Sequence, residues 1–189
     1  PISLQKGQKI SLTKDNPGLT KVVVGLGWDV NNFDTGGAFD LDGSAFLLND
    51  TGKASKPEDF VFYGNLNHSS GSVSHQGDNL TGAGEGDDEQ IIVDLAALPQ
   101  NYDKIVFVVN IYQAFQRKQN FGMIRNAFIR IVDARNNKEL LKYDLSEDYS
   151  GMTAMIFGEV YRYNGEWKFT AIGEGTNDPG LGELVSRFR

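Results

Sequence analysis

Short apolar segments separated by turns recur along the whole chain, and this pattern most restricts the folds that are open to it. Residues 104–111 form a strongly apolar run with the length of a buried strand. Residues 154–163 and 166–172 flank Asn164-Gly165, the strongest two-residue hairpin signal in the sequence. Further strand-like runs are 19–26, 44–48, 60–63, 90–93, 127–132 and 139–143. Roughly nine strands joined by turns predict a mainly β protein, a two-sheet β-sandwich.

Helical signal is scarce and confined to short segments. Single turns are expected at 94–98 and 112–118. Residues 181–188 place apolar side chains at 181, 184, 185 and 188, the spacing of an amphipathic helix, which we expect to dock on the sandwich. The chain of 189 residues is long enough to bury a core, and we treat residues 1–189 as one domain.

Composition excludes several classes of protein. There is no cysteine, so disulfides, zinc–thiolate sites and cysteine nucleophiles are excluded. No window approaches the roughly 18 apolar residues of a membrane span, and we expect no direct membrane insertion. The first residues lack a signal-peptide pattern, which favours a cytoplasmic protein.

Negative charge is concentrated in one part of the chain. Between Val22 and Asp103 there are fourteen acidic residues but only two basic ones, Lys53 and Lys56. The net charge of the whole chain is −7. Such a surface repels phosphate backbones, so nucleic acid is not an expected partner of this part.

The stretch from Asp78 to Glu89 carries the strongest chemical signal. Five carboxylates lie among three glycines, and the stretch contains no lysine or arginine. Carboxylates held this close repel one another unless they are protonated, open to water or bound to a cation. Glycines let a backbone turn sharply and bring carbonyl oxygens inward. Carboxylate and carbonyl oxygens are the ligands of a hard divalent cation, above all Ca²⁺.

A second acidic cluster precedes the strand at 44–48. In Asp40-Leu41-Asp42, an extended backbone directs both carboxylates to one face and Leu41 to the other. We expect this cluster and the 78–89 stretch to meet at one end of the sandwich and to enclose one or two Ca²⁺ ions. An EF-hand is excluded, because Leu80 and Ala83 occupy positions where that loop needs Asp or Asn and Gly.

Two catalytic alternatives use the same part of the chain. Several serines lie near His75, which precedes Asp78, so a Ser-His-Asp arrangement is conceivable, but no nucleophile-elbow motif supports it. We expect His75 to be a turn residue. A hydrolase that uses Mg²⁺ or Mn²⁺ on the same carboxylates is the stronger alternative. Such a hydrolase would need basic residues to hold phosphate, and this part of the chain has almost none. We therefore expect that the protein is not an enzyme.

Several motifs in the same order resemble the TerD family of tellurite-resistance and stress proteins, over about residues 3–174. The segments that carry the resemblance are Gly25-Leu26-Gly27-Trp28-Asp29, Phe39-Asp40-Leu41-Asp42, Gly77-Asp78-Asn79-Leu80-Thr81-Gly82, Gly84-Glu85-Gly86-Asp87-Asp88-Glu89, Gln119-Asn120-Phe121-Gly122, Asn126-Ala127-Phe128-Ile129-Arg130 and Tyr143-Asp144-Leu145-Ser146-Glu147-Asp148.

The resemblance implies a calcium-binding β-sandwich that acts in tellurite resistance and the general stress response. It implies partners among other proteins of a membrane-associated stress-response complex, with the chain cytoplasmic and peripheral to the inner membrane through those partners. It implies no known catalytic activity. Carried onto this sequence, the family's calcium loop predicts as side-chain ligands Asp40, Asp42, Asp78, Asp88 and Glu89. Further candidates are Asn79, Gly82, Gly84 and Gly86, and then Asp29, Glu85 and Asp87.

Overall fold

The computed structural model describes residues 2–30, 39–78 and 87–189, and in these residues twelve strands form two six-stranded sheets. The strands are β1 (Ile2–Leu4), β2 (Lys9–Ser11), β3 (Lys21–Val30), β4 (Leu41–Leu48), β5 (Phe60–Val61), β6 (Val73–Asp78), β7 (Glu89–Asp94), β8 (Lys104–Ile111), β9 (Ile124–Asp133), β10 (Lys138–Asp144), β11 (Ala154–Tyr163) and β12 (Glu166–Thr176). Two short helices are α1 (Ala114–Arg117) and α2 (Leu181–Ser186), and 3-10 turns occur at Pro57–Asp59 and Phe121–Met123.

The chain passes repeatedly between the two sheets. The first sheet has the order β1-β10-β9-β3-β7-β6, and the second has the order β2-β12-β11-β8-β4-β5. The described strand pairs are antiparallel except for β1 with β10. Strands β3 and β4 are consecutive in sequence but lie in different sheets. This crossing brings the ends of β4 and β7 toward each other.

One apolar core lies between the sheets. It contains Val24 and Leu26 of β3 and Phe107 and Val109 of β8, all with no exposed surface. Residues at every second position of these strands face the core, as the period of two in a strand requires. The two packed sheets confirm the predicted β-sandwich with few short helices.

The C-terminal helix covers a second, smaller apolar cluster on the outer face of the second sheet. Leu184 of α2 is fully buried there beside Phe46, Val108 and Ile156. The ring of Phe188 lies 5.4 Å from that of Phe46. The prediction of an amphipathic helix docked on the sandwich is confirmed.

The strongest local signals agree with the structure, and the weakest do not. Strands β8 and β11 have the predicted bounds, and Asn164 and Gly165 have φ of 50° and 79°, as a type I′ hairpin turn requires. Strands β1, β2 and β6 are not predicted by the pattern, because they are short or polar. Of the two expected single turns, the first is a non-helical turn at 95–97 that follows the end of β7, and the second contains α1. No helix in the described ranges is long and apolar enough to cross a membrane.

The last residue of β9, Asp133, is an acidic residue whose pKa is perturbed. The guanidinium of Arg135 donates hydrogen bonds to the carboxylate of Asp133, and with the backbone N–H of Arg135 it lowers the pKa of Asp133. A lowered pKa in the folded state adds stability above the unfolded-state pKa of about 3.9, and this stability is lost as the pH falls through the folded-state value.

We therefore expect Asp133→Asn to lower the melting temperature by about 2 to 4 °C near neutral pH. The difference from wild type should shrink as the pH falls from about 4 through the lowered folded-state pKa, because Asp133 of the wild type takes up a proton over this range. Thermal melts of both proteins between about pH 3 and pH 7 measure this. A difference that stays constant down to the lowest pH would contradict the assignment.

Candidate functional site

Strands β3, β4 and β7 bring the two acidic clusters to one end of the sandwich. An open cleft of about 350 Å³ is lined by Trp28, by Phe39, Asp40 and Leu41 at the start of β4, and by Asp87, Asp88 and Glu89 at the start of β7. Backbone pairing places Asp88 beside β3, because the N–H of Asp88 donates to the carbonyl of Leu26 at 2.8 Å. Asp40 and Asp88 thus line one cleft although they are far apart in the sequence.

Asp88 is a carboxylate of the cleft whose pKa is raised. Burial raises its pKa, and the negative charges of Asp29 and Asp87 add to the rise. The backbone N–H of Trp28 donates to Asp88 Oδ2 at 2.8 Å and opposes the shift. Because the net pKa shift is upward, the surroundings of Asp88 disfavour its negative charge, and a nearby cation would relieve this.

Asp87 is bound by an arginine that sequence proximity does not reveal. Arg130 Nε and Nη2 donate to its two carboxylate oxygens, each at 2.8 Å, and Gln90 Nε2 donates at 3.0 Å. The Asp87 side chain has no exposed surface. Gly25 pairs with Arg130 on one side and Gln90 on the other, and a Cβ on Gly25 would lie 2.5 Å from the carboxylate. The Asp87 carboxylate therefore packs over a glycine, in a bidentate pair with Arg130.

Glu89 and His75 connect the two sheets at the open edge of β4. Gly43 lies beyond the residues of β4 that pair with β5, and its N–H donates to Glu89 Oε2 at 2.5 Å. His75 Nε2 lies 3.0 Å from the Gly43 carbonyl oxygen and 3.5 Å from Glu89 Oε2. The expectation that His75 is a turn residue is wrong, because it lies in β6 and is 4 % exposed.

The surroundings of His75 raise the pKa of its imidazole. Burial by itself lowers the pKa of His75, but the hydrogen bond and negative charge of Glu89, with smaller contributions from Gly43 and Asp42, outweigh it. The net shift of the His75 pKa is upward. Through their contacts with Gly43, His75 and Glu89 hold β6 and β7 against β4.

The remaining predicted ligands are distributed as follows. Asp29 is exposed and accepts a hydrogen bond from Asn126 Nδ2 at 2.8 Å. The carbonyl of Asp40 accepts from the N–H of Tyr112 at 2.8 Å, and Asp42 is half-buried in β4. The backbone of Asp78 pairs with Glu89 at the end of β6. Candidates that lie outside the described residues are Asn79, Gly82, Gly84, Glu85 and Gly86.

Among the described residues, no three carboxylate or imidazole side chains form a group that could hold a metal ion. The cleft carboxylates can therefore supply part of a calcium shell, which takes six to eight oxygens, but not all of it. The assignment of the individual ligands stays a prediction.

A second buried polar cluster contains the other histidine. His68 Nε2 lies 2.9 Å from Asp59 Oδ1, which also accepts from Tyr102, and His68 Nδ1 lies 2.7 Å from Ser70 Oγ. The N–H of Ser70 donates to His68, and that of Ser72 donates to Ser70 Oγ. The polar groups of this cluster form hydrogen bonds with one another, which is typical of a structural network.

Comparisons with known proteins agree with the fold. A model of the TerD domain matches residues 1–188. The solved structure of SAV2460, a protein of unknown function, has a TM-score of 0.67 and 25 % identity, and the match covers 91 % of this chain and 99 % of that one. The structure of SCO6318 from Streptomyces coelicolor A3(2), described as a homologue of telluride resistance protein (TerD), has a TM-score of 0.62 at 22 % identity, covering 85 % of this chain and 92 % of that one.

Characterised relatives are more similar in sequence. General stress protein 16U of Bacillus subtilis (strain 168) is 62 % identical over 187 residues, which cover 99 % of this chain and 96 % of that protein. Tellurium resistance protein TerD of Serratia marcescens is 54 % identical over 174 residues, which cover 92 % and 90 %. The family match over residues 1–188 and these relatives show that the chain belongs to the TerD family of tellurium-resistance and general stress proteins.

Proposed function

We propose that this chain binds Ca²⁺ at the acidic end of the sandwich and acts as a calcium-stabilised binding or scaffold module of the tellurium-resistance and stress response. The observation that carries the proposal is the cleft that Asp40, just before β4 of one sheet, and Asp88, just before β7 of the other, line together. A cation bound there would neutralise carboxylates from both sheets. It would also hold the two acidic segments in one arrangement.

The charge around the cleft supports a cation as ligand. Arg130 directs its guanidinium to Asp87 and lies 3.5 Å from Glu139, so its positive charge is engaged there. The raised pKa of Asp88 indicates that its carboxylate is incompletely compensated. Oxygen ligands without sulfur or an exposed imidazole suit Ca²⁺ better than Zn²⁺ or Cu²⁺.

The proposal assigns the described carboxylates part of the shell and the 78–86 segment the rest. Asp40, Asp42 and Asp88 supply side-chain oxygens, and one or two ions are bound. Asp87 and Glu89 stabilise the base of the site through Arg130 and His75. The side chains and carbonyls predicted from the 78–86 sequence complete the coordination.

The function follows from the effect of the ion on the shape of the acidic end. Bound calcium fixes the surface formed by the two acidic clusters, and other proteins of a stress-response complex bind to that surface. In this proposal the chain acts in the cytoplasm, peripheral to the inner membrane through those partners. Direct thiol chemistry on tellurite is not part of the proposal, because the sequence contains no cysteine. The names of the relatives support the stress-response role.

Calorimetric titration of chelator-treated protein with Ca²⁺, and separately with Mg²⁺, tests the proposal at physiological salt. We expect one or two Ca²⁺ ions to bind, with Mg²⁺ much weaker. The variant Asp40→Asn with Asp88→Asn should lose this binding. A control variant, Asp15→Asn with Asp50→Asn, removes the same charge from exposed turns and should bind as wild type does.

Two outcomes would count against the proposal. If neither ion binds, the calcium function is wrong. If Mg²⁺ binds in preference to Ca²⁺, the metal-dependent hydrolase becomes the better interpretation, and phosphoester turnover with Mg²⁺ or Mn²⁺ is the next measurement. Loss of binding in both double variants would show a general effect of net charge rather than a site.

A further inference from the structure

The outer face of the second sheet carries polar groups next to Asp42, close to the acidic end of the sandwich. Proximity in the sequence does not reveal this arrangement. In β4, Ala45 and Leu47 belong to the core between the sheets, whereas Phe46 and Leu48 belong to the outer cluster under α2. Because side chains alternate along a strand, Asp42 lies on the outer face with Phe46 and Leu48. Asp42 is the last acidic residue on this face before the strand becomes apolar.

Directly opposite Asp42, strand β8 carries a buried amide. Asp42 and Asn110 are register partners in the β4–β8 ladder, and on its other side Asn110 is paired with Ala154. Directly opposed side chains in an antiparallel pair have Cβ atoms about 4.5 to 5.5 Å apart. Asn110 is 4 % exposed, and its Oδ1 has no hydrogen-bond partner among the described residues.

A second buried oxygen lies on the same face. Ser44 follows Asp42 at the next outward-facing position of β4 and has no exposed surface. Its Oγ likewise lacks a hydrogen-bond partner within the described ranges. Buried polar atoms in native proteins are almost always paired, and each exception needs an explanation. Here two such atoms flank the carboxylate of Asp42. Asn110 Oδ1 belongs to its partner across the ladder, and Ser44 Oγ lies two residues along the strand.

We propose that Asn110 Oδ1 is a ligand of the Ca²⁺ ion that Asp42 binds, and that Ser44 Oγ lines the same site. This inference rests on the proposed calcium function and extends it onto the outer face of the second sheet. Side-chain carbonyls of Asn are ordinary calcium ligands beside carboxylates. The ion provides the partner that the amide oxygen lacks, and the buried position of Asn110 holds that oxygen next to Asp42.

The test compares calcium affinity with the stability of the calcium-free protein. Asn110→Leu keeps the approximate shape of the side chain and removes the oxygen. It should weaken calcium binding by about tenfold or more, while the melting temperature in chelator stays the same or rises, because a buried unpaired oxygen is gone. Asn110→Asp supplies a carboxylate oxygen. It should lower the melting temperature in chelator through repulsion with Asp42 and increase the shift caused by Ca²⁺.

A matched control removes an equivalent oxygen elsewhere. Thr170 Oγ1 in β12 is also buried without a partner in the described part of the chain, and Thr170→Val should leave calcium affinity unchanged. The inference is overturned if Asn110→Leu lowers the melting temperature in chelator and binds calcium as wild type does. If Asn110→Leu does not fold, a smaller calcium-dependent shift in Asn110→Asp overturns it. Failure of the wild type to bind Ca²⁺ would instead overturn the proposed function from which it starts.

Discussion

Replacing Arg130 with methionine is expected to destabilise the protein by about 3 to 5 kcal/mol, because the buried carboxylate of Asp87 would lose its bidentate partner. Asp87 has no exposed side-chain surface, and Arg130 donates to both of its oxygens at 2.8 Å. Gln90 would remain as a donor but carries no charge. Denaturant unfolding in the presence of a chelator measures the effect without compensation by calcium.

Two further variants separate the ion pair from other effects. Arg125→Met changes an exposed arginine in the same strand, β9, and should alter stability by no more than about 0.5 kcal/mol. Adding Asp87→Asn to Arg130→Met removes the unpaired charge and should recover much of the lost stability. If Arg125→Met and Arg130→Met are equally mild, the pair with Asp87 does not stabilise this end of the sandwich.

The second large effect is expected for Gly43→Ala, with a loss of about 2 to 4 kcal/mol. A Cβ at this position would overlap Glu89 Oε2 and lie 2.8 Å from Leu26 Cδ1. The carboxylate of Glu89 would be displaced from the N–H of Gly43, and the contact with His75 would be lost or weakened. This part of β4 would then lose its contacts with Glu89 and His75 of the other sheet.

Gly182→Ala is the matched control for Gly43→Ala. Gly182 lies in α2 and is exposed, and no described atom outside its own helix would lie within 4 Å of a Cβ added there. The same substitution should therefore raise stability by up to about 1 kcal/mol. Thermal and urea unfolding of both variants measure the difference. Equal small effects at the two glycines would show that the contact between Gly43 and Glu89 is easily rearranged. A large loss of stability at Gly43 alone would establish this contact as a structural constraint.

Much of the fold is predictable from local sequence. The bounds of β8 follow from a mostly apolar run, and the end of β11 and its hairpin with β12 follow from Asn164-Gly165. The position of α2 follows from apolar spacing at its start and end. The strands that the pattern does not predict, such as β1 and β2, have three residues each and mostly exposed or half-buried side chains, so they carry little periodicity.

The candidate site is predictable only in its acidic part. The sequence places Asp40 and Asp88 in two acidic clusters, and the packing of one sheet against the other brings them to one cleft. It does not reveal Arg130, which is 43 residues from Asp87 and reaches it across Gly25. Nor does it reveal Asn110, because its position opposite Asp42 depends on the register between β4 and β8.

The sequence by itself determined which segments become strands, where the chain turns, and where negative charge accumulates, because these depend on side-chain periodicity and turn chemistry within a few residues. Only the tertiary structure decided which charges are compensated and which polar atoms lie beside Asp42. Strand order and register place residues from distant segments within hydrogen-bonding distance, and burial between two sheets then sets the strength of their interaction.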